Sequence, residues 1–138
     1  MSDNKLFMIV DDDADDREFF SDAVSELDLT TECIAAINGE DALKILRNGI
    51  KRLPDFIFLD LNMPKMDGKT CLTELKKDEK LKNIPVIIFS TSSDQRDKDA
   101  THQLGATYFL TKPSDFIKLQ KEILFVMKEN WALHNYMV

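Results

Sequence analysis

The sequence predicts an α/β fold in which a five-stranded parallel sheet carries helices on both faces, and three observations support this. Apolar runs alternate five times with segments of helical spacing. Three of those runs are nearly continuous, the pattern of strands buried on both faces. Right-handed crossovers then leave few topologies open. At 138 residues the chain fits one domain, residues 1–138, with a core of about 5–128 and a C-terminal extension of about 129–138. A domain of this size buries roughly 70% of its unfolded surface, enough for one core without disulfides.

The first strand is the apolar run at residues 5–10. Asp13 to Leu27 follow as a helix, with Phe19, Phe20, Ala23, Val24 and Leu27 on one stripe. A second, weaker strand spans Glu32 to Ile37. Asn38-Gly39 is turn chemistry, and Gly39 to Leu46 return to helical spacing through Ala42, Leu43, Ile45 and Leu46 before Asn48-Gly49 closes the helix. Leu53-Pro54 precedes the third strand, 55–60. Met63-Pro64-Lys65-Met66-Asp67-Gly68 reads as a loop, and the third helix runs from about Gly68 to Lys77. Pro85 to Ser90 form an uncharged fourth strand. Ser93-Asp94 cap a fourth helix that reaches about Leu104 and ends at Gly105. Thr107 to Leu110 form the fifth strand. Pro113-Ser114 start the fifth helix, whose candidate buried residues are Phe116, Ile117, Leu119, Ile123, Leu124 and Met127. Trp131 to Val138 form an apolar tail.

Composition narrows the function classes. The net charge of −7 argues against a nucleic-acid surface and favours solubility. Lys76 to Lys82 are interrupted by Asp78 and Glu79 and read as a solvated face. Cys33 and Cys71 lack CxxC spacing and fit a reduced, intracellular protein. The first residues do not resemble a signal peptide, and no apolar run approaches a membrane span. The expected location is the cytoplasm.

Charge placement points to chemistry. Asp11-Asp12 follow the first strand, Asp60 ends the third, Ser90 ends the fourth and Lys112 follows the fifth. Parallel strands share one carboxyl edge, where open α/β sheets bind ligands. Taken singly, each residue has a plainer explanation: Asp60 bonded to loop amides, Ser90 satisfying backbone groups, Lys112 solvated. Asp15 and Asp16 read as favourable charges at a helix N-terminus. As a set they are more informative. Carboxylates brought together repel unless a cation is shared, and all-oxygen ligands suit Mg²⁺. Metal, lysine and hydroxyl together can neutralise a phosphoryl group in transfer, with Asp60 as nucleophile.

The stretches Ile9-Val10-Asp11-Asp12-Asp13, Leu59-Asp60-Leu61-Asn62-Met63-Pro64-Lys65-Met66-Asp67-Gly68, Phe89-Ser90-Thr91, Gly105-Ala106-Thr107 and Thr111-Lys112-Pro113 resemble the receiver domain of two-component response regulators. The resemblance covers about residues 5–128. It implies a flavodoxin-like sheet of order 2-1-3-4-5. It also implies Asp60 as phosphoacceptor, and Mg²⁺ held by Asp11, Asp12, Asp60 and the backbone carbonyl of Asn62. Lys112 would contact the phosphoryl group, Ser90 and Phe109 would be switch residues, and the Lys112–Pro113 peptide would be cis. Ser90 stands where threonine is commoner, and Phe109 where tyrosine or histidine is frequent. Asp13, with Asp15 and Asp16, makes the metal edge unusually negative.

The function implied is a phosphorylation-activated switch or phosphorelay intermediate. It would be fed by a histidine kinase or phosphotransfer protein and would catalyse its own phosphorylation and acyl-phosphate hydrolysis. With no output segment after the fifth helix, a stand-alone receiver acting by protein contact is expected. Homodimers through the helix four–strand five–helix five face or the tail are possible interaction modes. The rivals are a non-phosphorylated receiver-like module, an aspartyl-nucleophile phosphatase and a flavodoxin-like cofactor binder. Such phosphatases usually need an acid where Asn62 stands, and Asp11 to Asp16 would repel a cofactor phosphate.

Overall fold

The computed structural model describes residues 4–27 and 30–129. The expectations for Trp131 to Val138, including a tail-mediated dimer, fall outside the described residues. In chain order the elements are β1 Leu6–Val10, α1 Ala14–Leu27, β2 Glu32–Ala36, α2 Gly39–Asn48, β3 Phe56–Leu59, α3 Gly68–Lys77, β4 Val86–Ser90, α4 Gln95–Gln103, β5 Tyr108–Thr111 and α5 Phe116–Lys128. The sheet order is β2-β1-β3-β4-β5, and every pairing is parallel. The order reverses between β1 and β3, so a crevice opens beyond their carboxyl ends.

Successive strand residues face opposite sides of the sheet, and the core divides accordingly. Phe7, Ile9, Phe56, Phe58, Ile87, Phe89 and Leu110 pack with Phe20, Ala23 and Val24 of α1 and with Leu119, Ile123 and Val126 of α5. Met8, Val10, Ile57, Leu59 and Ile88 pack on the other face with Leu43 and Leu46 of α2 and Leu72 and Leu75 of α3. The aromatic side chains form a connected group: Phe20 and Phe58 have ring centroids 4.7 Å apart, and Phe58 and Phe89 meet edge to face at 6.2 Å. Strands β1, β3 and β4 are buried throughout, whereas β2, at the edge, is largely half-exposed.

Acidic or amide side chains cap α2, α3, α4 and α5. Asn38, Asp67, Asp94 and Asp115 accept bonds from the amides of Asp41, Thr70, Arg96 and Lys118 at 2.8–2.9 Å, satisfying donors that the first helical turn leaves free. Asp115 therefore sets the start of α5, later than the expected Pro113-Ser114. The buried stripe of α5 also differs from expectation. Leu119, Ile123 and Val126 are buried, while Ile117, two residues before Leu119 and off that face, is 55% exposed. Gly105 has φ +106° at the end of α4, a left-handed position where glycine avoids a Cβ penalty.

The Lys112–Pro113 peptide is trans, contrary to the expected cis bond. The two X–Pro isomers differ intrinsically by only about 0.5–1 kcal/mol, so local sequence does not decide between them. The trans chain still lets Lys112 N donate to Ser90 O at 2.7 Å and Nζ reach Asp11. No helix among the described residues is long and apolar enough to cross a membrane.

The two faces of α5 and the centre of the sheet yield a stability test. Phe58→Ala is expected to cost about 3–5 kcal/mol, and Ile117→Ala to change stability by less than about 0.5 kcal/mol. Urea denaturation measures both, and comparable losses would contradict the burial assigned here.

Candidate functional site

The backbone hydrogen-bond ladder continues one step past the strands and fixes the site residues. Asp11 N donates to Ala36 O at 3.1 Å, Asp60 N to Val10 O at 3.0 Å and Lys112 N to Ser90 O at 2.7 Å. Side-chain alternation then sorts them. Asp11 continues the phase of Phe7 and Ile9, Asp60 that of Phe56 and Phe58, and Lys112 that of Leu110, which place them on the α1/α5 side. Ser90 and Phe109 follow the opposite phase, that of Ile88, toward α3 and α4.

Lys112 Nζ donates to Asp11 Oδ2 at 2.7 Å and to Asp16 Oδ2 at 2.9 Å, and lies 3.8 Å from Asp60 Oδ1. Its side chain is only 11% exposed. Burial disfavours its charge, but the bonds it donates to Asp11 and Asp16 and the Asp60 charge outweigh that, and its pKa lies above the ordinary lysine value. The Phe89 ring lies beneath it, with its centroid 5.7 Å from Nζ.

Asp11 and Asp60 are buried and Asp12 is exposed, and one carboxylate oxygen from each lies within 4.8 Å of the others. Asp11 Oδ1 accepts from Asp13 N at 3.0 Å. Burial pushes the Asp60 carboxyl up to about 6; the Lys112 charge pulls it down, and the Asp11 charge adds to the rise. The backbone N–H groups of Asn62 and Leu61 bond to the carboxylate and favour its charged form, but they do not restore ordinary acidity. Asp11, Asp16 and Asp60 thus share the Lys112 ammonium, Asp12 stands beside Asp11 and Asp60, and the Arg17 guanidinium donates to the Asp11 carbonyl at 2.8 Å. This donor set fits a hard divalent cation, for which Asp11, Asp12 and Asp60 are the available protein carboxylates.

The loop after Asp60 is tightly built. Gly68 N donates to Leu61 O at 2.9 Å, and a Cβ on Gly68 would come within 2.3 Å of Asp60 O. Lys65 has φ +67°, and Met66 N bonds to Pro64 O at 2.8 Å, a tight three-residue turn of the rare positive-φ kind. Asn62 lies on a cleft of about 370 Å³ shared with Leu61, Met63, Asp67, Lys69 and Asp97.

The expected site residues therefore occupy one sheet edge, with two refinements. Asp16, read from sequence as a helix-terminal charge, is a direct partner of Lys112, and no spacing in the sequence singled it out from its acidic neighbours. Asp13 instead caps α1, accepting from Asp15 N at 2.8 Å and Asp16 N at 3.3 Å. The positioning role of Gly68 also escaped sequence reasoning, although the Asp67-Gly68 pair marked a turn. Ser90 is fully buried, and its Oγ accepts from Ser92 N at 3.2 Å. Phe109 is half-buried, with Lys98 Nζ 5.9 Å from its ring centroid.

Comparison with known proteins places this geometry. Residues 7–124 match the family model of the response regulator receiver domain. The chain is 30% identical to response regulator Rcp1 of Synechocystis sp. over 86% of its own length and 84% of that protein's. It is 35% identical to sensor histidine kinase CheAY of Helicobacter pylori over 78% of its own length, but spans only 13% of that kinase. A crystal structure of the phosphorylated cyanobacterial phytochrome response regulator RcpA has a TM-score of 0.80 at 31% identity, covering 94% of each chain. The Mn²⁺-bound form of Rcp1 has a TM-score of 0.81 at 28% identity, covering 91% of this chain and 96% of that one.

The raised pKa of Asp60 makes metal-free stability depend on pH. Between about pH 4 and 6 the folded protein holds a proton that the unfolded chain has lost, so stability falls as pH rises through that window. With folded and ordinary values of about 6 and 3.8, the cost above pH 6 is about 3 kcal/mol. In chelator-treated protein, Asp60→Asn is expected to raise stability by about 2–3 kcal/mol at pH 7.5, with the gain vanishing toward pH 4. Chemical denaturation at the two pH values checks this, and a pH-independent effect would contradict it. Gly68→Ala is expected to destabilise by more than about 2 kcal/mol because backbone atoms must move, measured the same way.

Proposed function

The chain belongs to the response regulator receiver domain family, and on that premise we propose that it is a phosphorylation-activated switch whose acceptor is Asp60. The observation that carries this reading is a buried carboxylate at the sheet reversal, beside two further acids and 3.8 Å from a buried ammonium. Its phosphodonor is a phosphohistidine on a histidine kinase or phosphotransfer protein.

An Asp60 carboxylate oxygen attacks phosphorus, forming an acyl P–O bond while the P–N bond breaks and the donor imidazole leaves with the electron pair. Asp11, Asp12, Asp60 and the Asn62 carbonyl would hold Mg²⁺, which when bound supplies positive charge to the phosphoryl oxygens. Lys112 redirects one N–H from the carboxylates to a phosphoryl oxygen, a short movement from its position near Asp60. The Ser90 hydroxyl donates to another. Lys112, already 3.8 Å from Asp60 Oδ1, needs little movement to meet the phosphoryl group, whereas Ser90 must turn from its bond with Ser92 N. Water later attacks phosphorus, the P–O bond to Asp60 breaks, and inorganic phosphate leaves with the Asp60 carboxylate restored.

The Ser90 and Lys112 bonds made only in the phosphorylated form bias the two-state equilibrium of the β4–α4–β5 face. Phe109, on the same sheet side as Ser90 and paired in register with Ile88, carries that bias to the surface where a partner protein reads it.

Incubation with acetyl phosphate and Mg²⁺ is expected to add one phosphoryl group to the wild-type protein and none to Asp60→Asn, monitored by intact mass. Lys112→Ala should slow uptake roughly a hundredfold. A label retained in Asp60→Asn would overturn the assignment.

A further inference from the structure

We propose that Asp97, anchored by Lys69, is a positioning residue that holds the Ser90 hydroxyl in the orientation seen here, acting through Ser92. The inference rests on the receiver reading and concerns how the same site is regulated.

Ser92 lies in the β4–α4 loop and has all its polar groups engaged. Its N–H donates to Ser90 Oγ at 3.2 Å. Its hydroxyl donates to Asp97 Oδ2 at 2.7 Å and accepts from Asp94 N at 3.2 Å. Its carbonyl accepts from Thr111 Oγ1 at 3.4 Å. The other oxygen of Asp97, Oδ1, meets Lys69 Nζ at 3.0 Å. Lys69 stands in the first turn of α3 and Asp97 in the first turn of α4, so the pair spans the cleft beside Asn62.

The Lys69 and Asp97 side chains are 44% and 29% exposed, and their attraction alone is weak in solvent. Its effect is geometric. With Oδ1 occupied by Lys69, Oδ2 is aimed at Ser92, and the Ser92 backbone is held against Ser90. Ser90 Oγ accepts from Ser92 N–H, so if Oγ moves toward a phosphoryl oxygen, either that bond lengthens or the β4–α4 loop, tied to α3 and α4 through Lys69 and Asp97, moves with it. The tether therefore opposes the phosphorylated arrangement and sets the threshold of the switch. Only the difference in tether strength between the two arrangements counts toward that threshold.

Beryllium fluoride with Mg²⁺, a mimic of the aspartyl phosphate, tests this without chemical turnover. Calorimetric titration of the full chain is expected to show roughly threefold to tenfold tighter binding in Asp97→Ala, Lys69→Met and Ser92→Ala than in wild type. The double variant Asp97→Ala/Lys69→Met should bind no more than about twofold tighter than Asp97→Ala, because both act along one path. Unchanged or weaker binding in Asp97→Ala and Lys69→Met, with normal wild-type binding, would overturn the tether alone. No binding by wild type would overturn the receiver reading and the tether together.

Discussion

The site depends on a charge imbalance enforced by the sheet. Parallel strands deliver their carboxyl ends to one edge, and ladder bonds fix Asp11, Asp60 and Lys112 there. Lys112 satisfies Asp11 and Asp16 directly and Asp60 only at a distance. The Asp60 anion is disfavoured by burial, and the more distant Lys112 only partly offsets this. A further positive charge beside Asp60 would offset that cost, and the proposed phosphoryl transfer would redistribute the Lys112 bonds.

Rigidity beneath the site makes the imbalance usable. The Phe20, Phe58 and Phe89 rings pack against one another on the same sheet face as Asp11, Asp60 and Lys112, and the Phe89 ring centroid lies 5.7 Å from Lys112 Nζ. Gly68 lies against the Asp60 backbone so closely that a methyl group does not fit. Interiors packed in this way shift between discrete arrangements and do not deform continuously. On the opposite phase of the sheet, Ser90 and Phe109 face α3 and α4, where the Ser92–Asp97–Lys69 chain of contacts crosses between helices. The charged groups are therefore gathered on one side of the sheet, and Ser90 and Phe109, the proposed switch residues, lie on the other.

The strands and the convergence of Asp11, Asp12, Asp60, Ser90 and Lys112 on one edge were legible in the sequence, because strand polarity alone determines which ends meet. The alternation of side chains was also present in the sequence, and it separates Ser90 and Phe109 from the carboxylates. Asp16 escaped because a helix N-terminus explains any nearby acid equally well. The α5 start shifted to Asp115 because a side-chain cap outweighed the proline signal. The isomer of Lys112–Pro113 was illegible locally, since the intrinsic preference is small. The Lys69–Asp97 contact joins residues 28 apart and depends on how closely two helices approach, which no local pattern encodes.

The charge imbalance at Asp60 is tested most directly by following its side-chain carboxyl carbon by NMR across a pH titration of metal-free protein. A midpoint near 6, moving to lower pH when Mg²⁺ is added, is the predicted result. An ordinary carboxyl midpoint near 3.8, unmoved by Mg²⁺, would contradict the account.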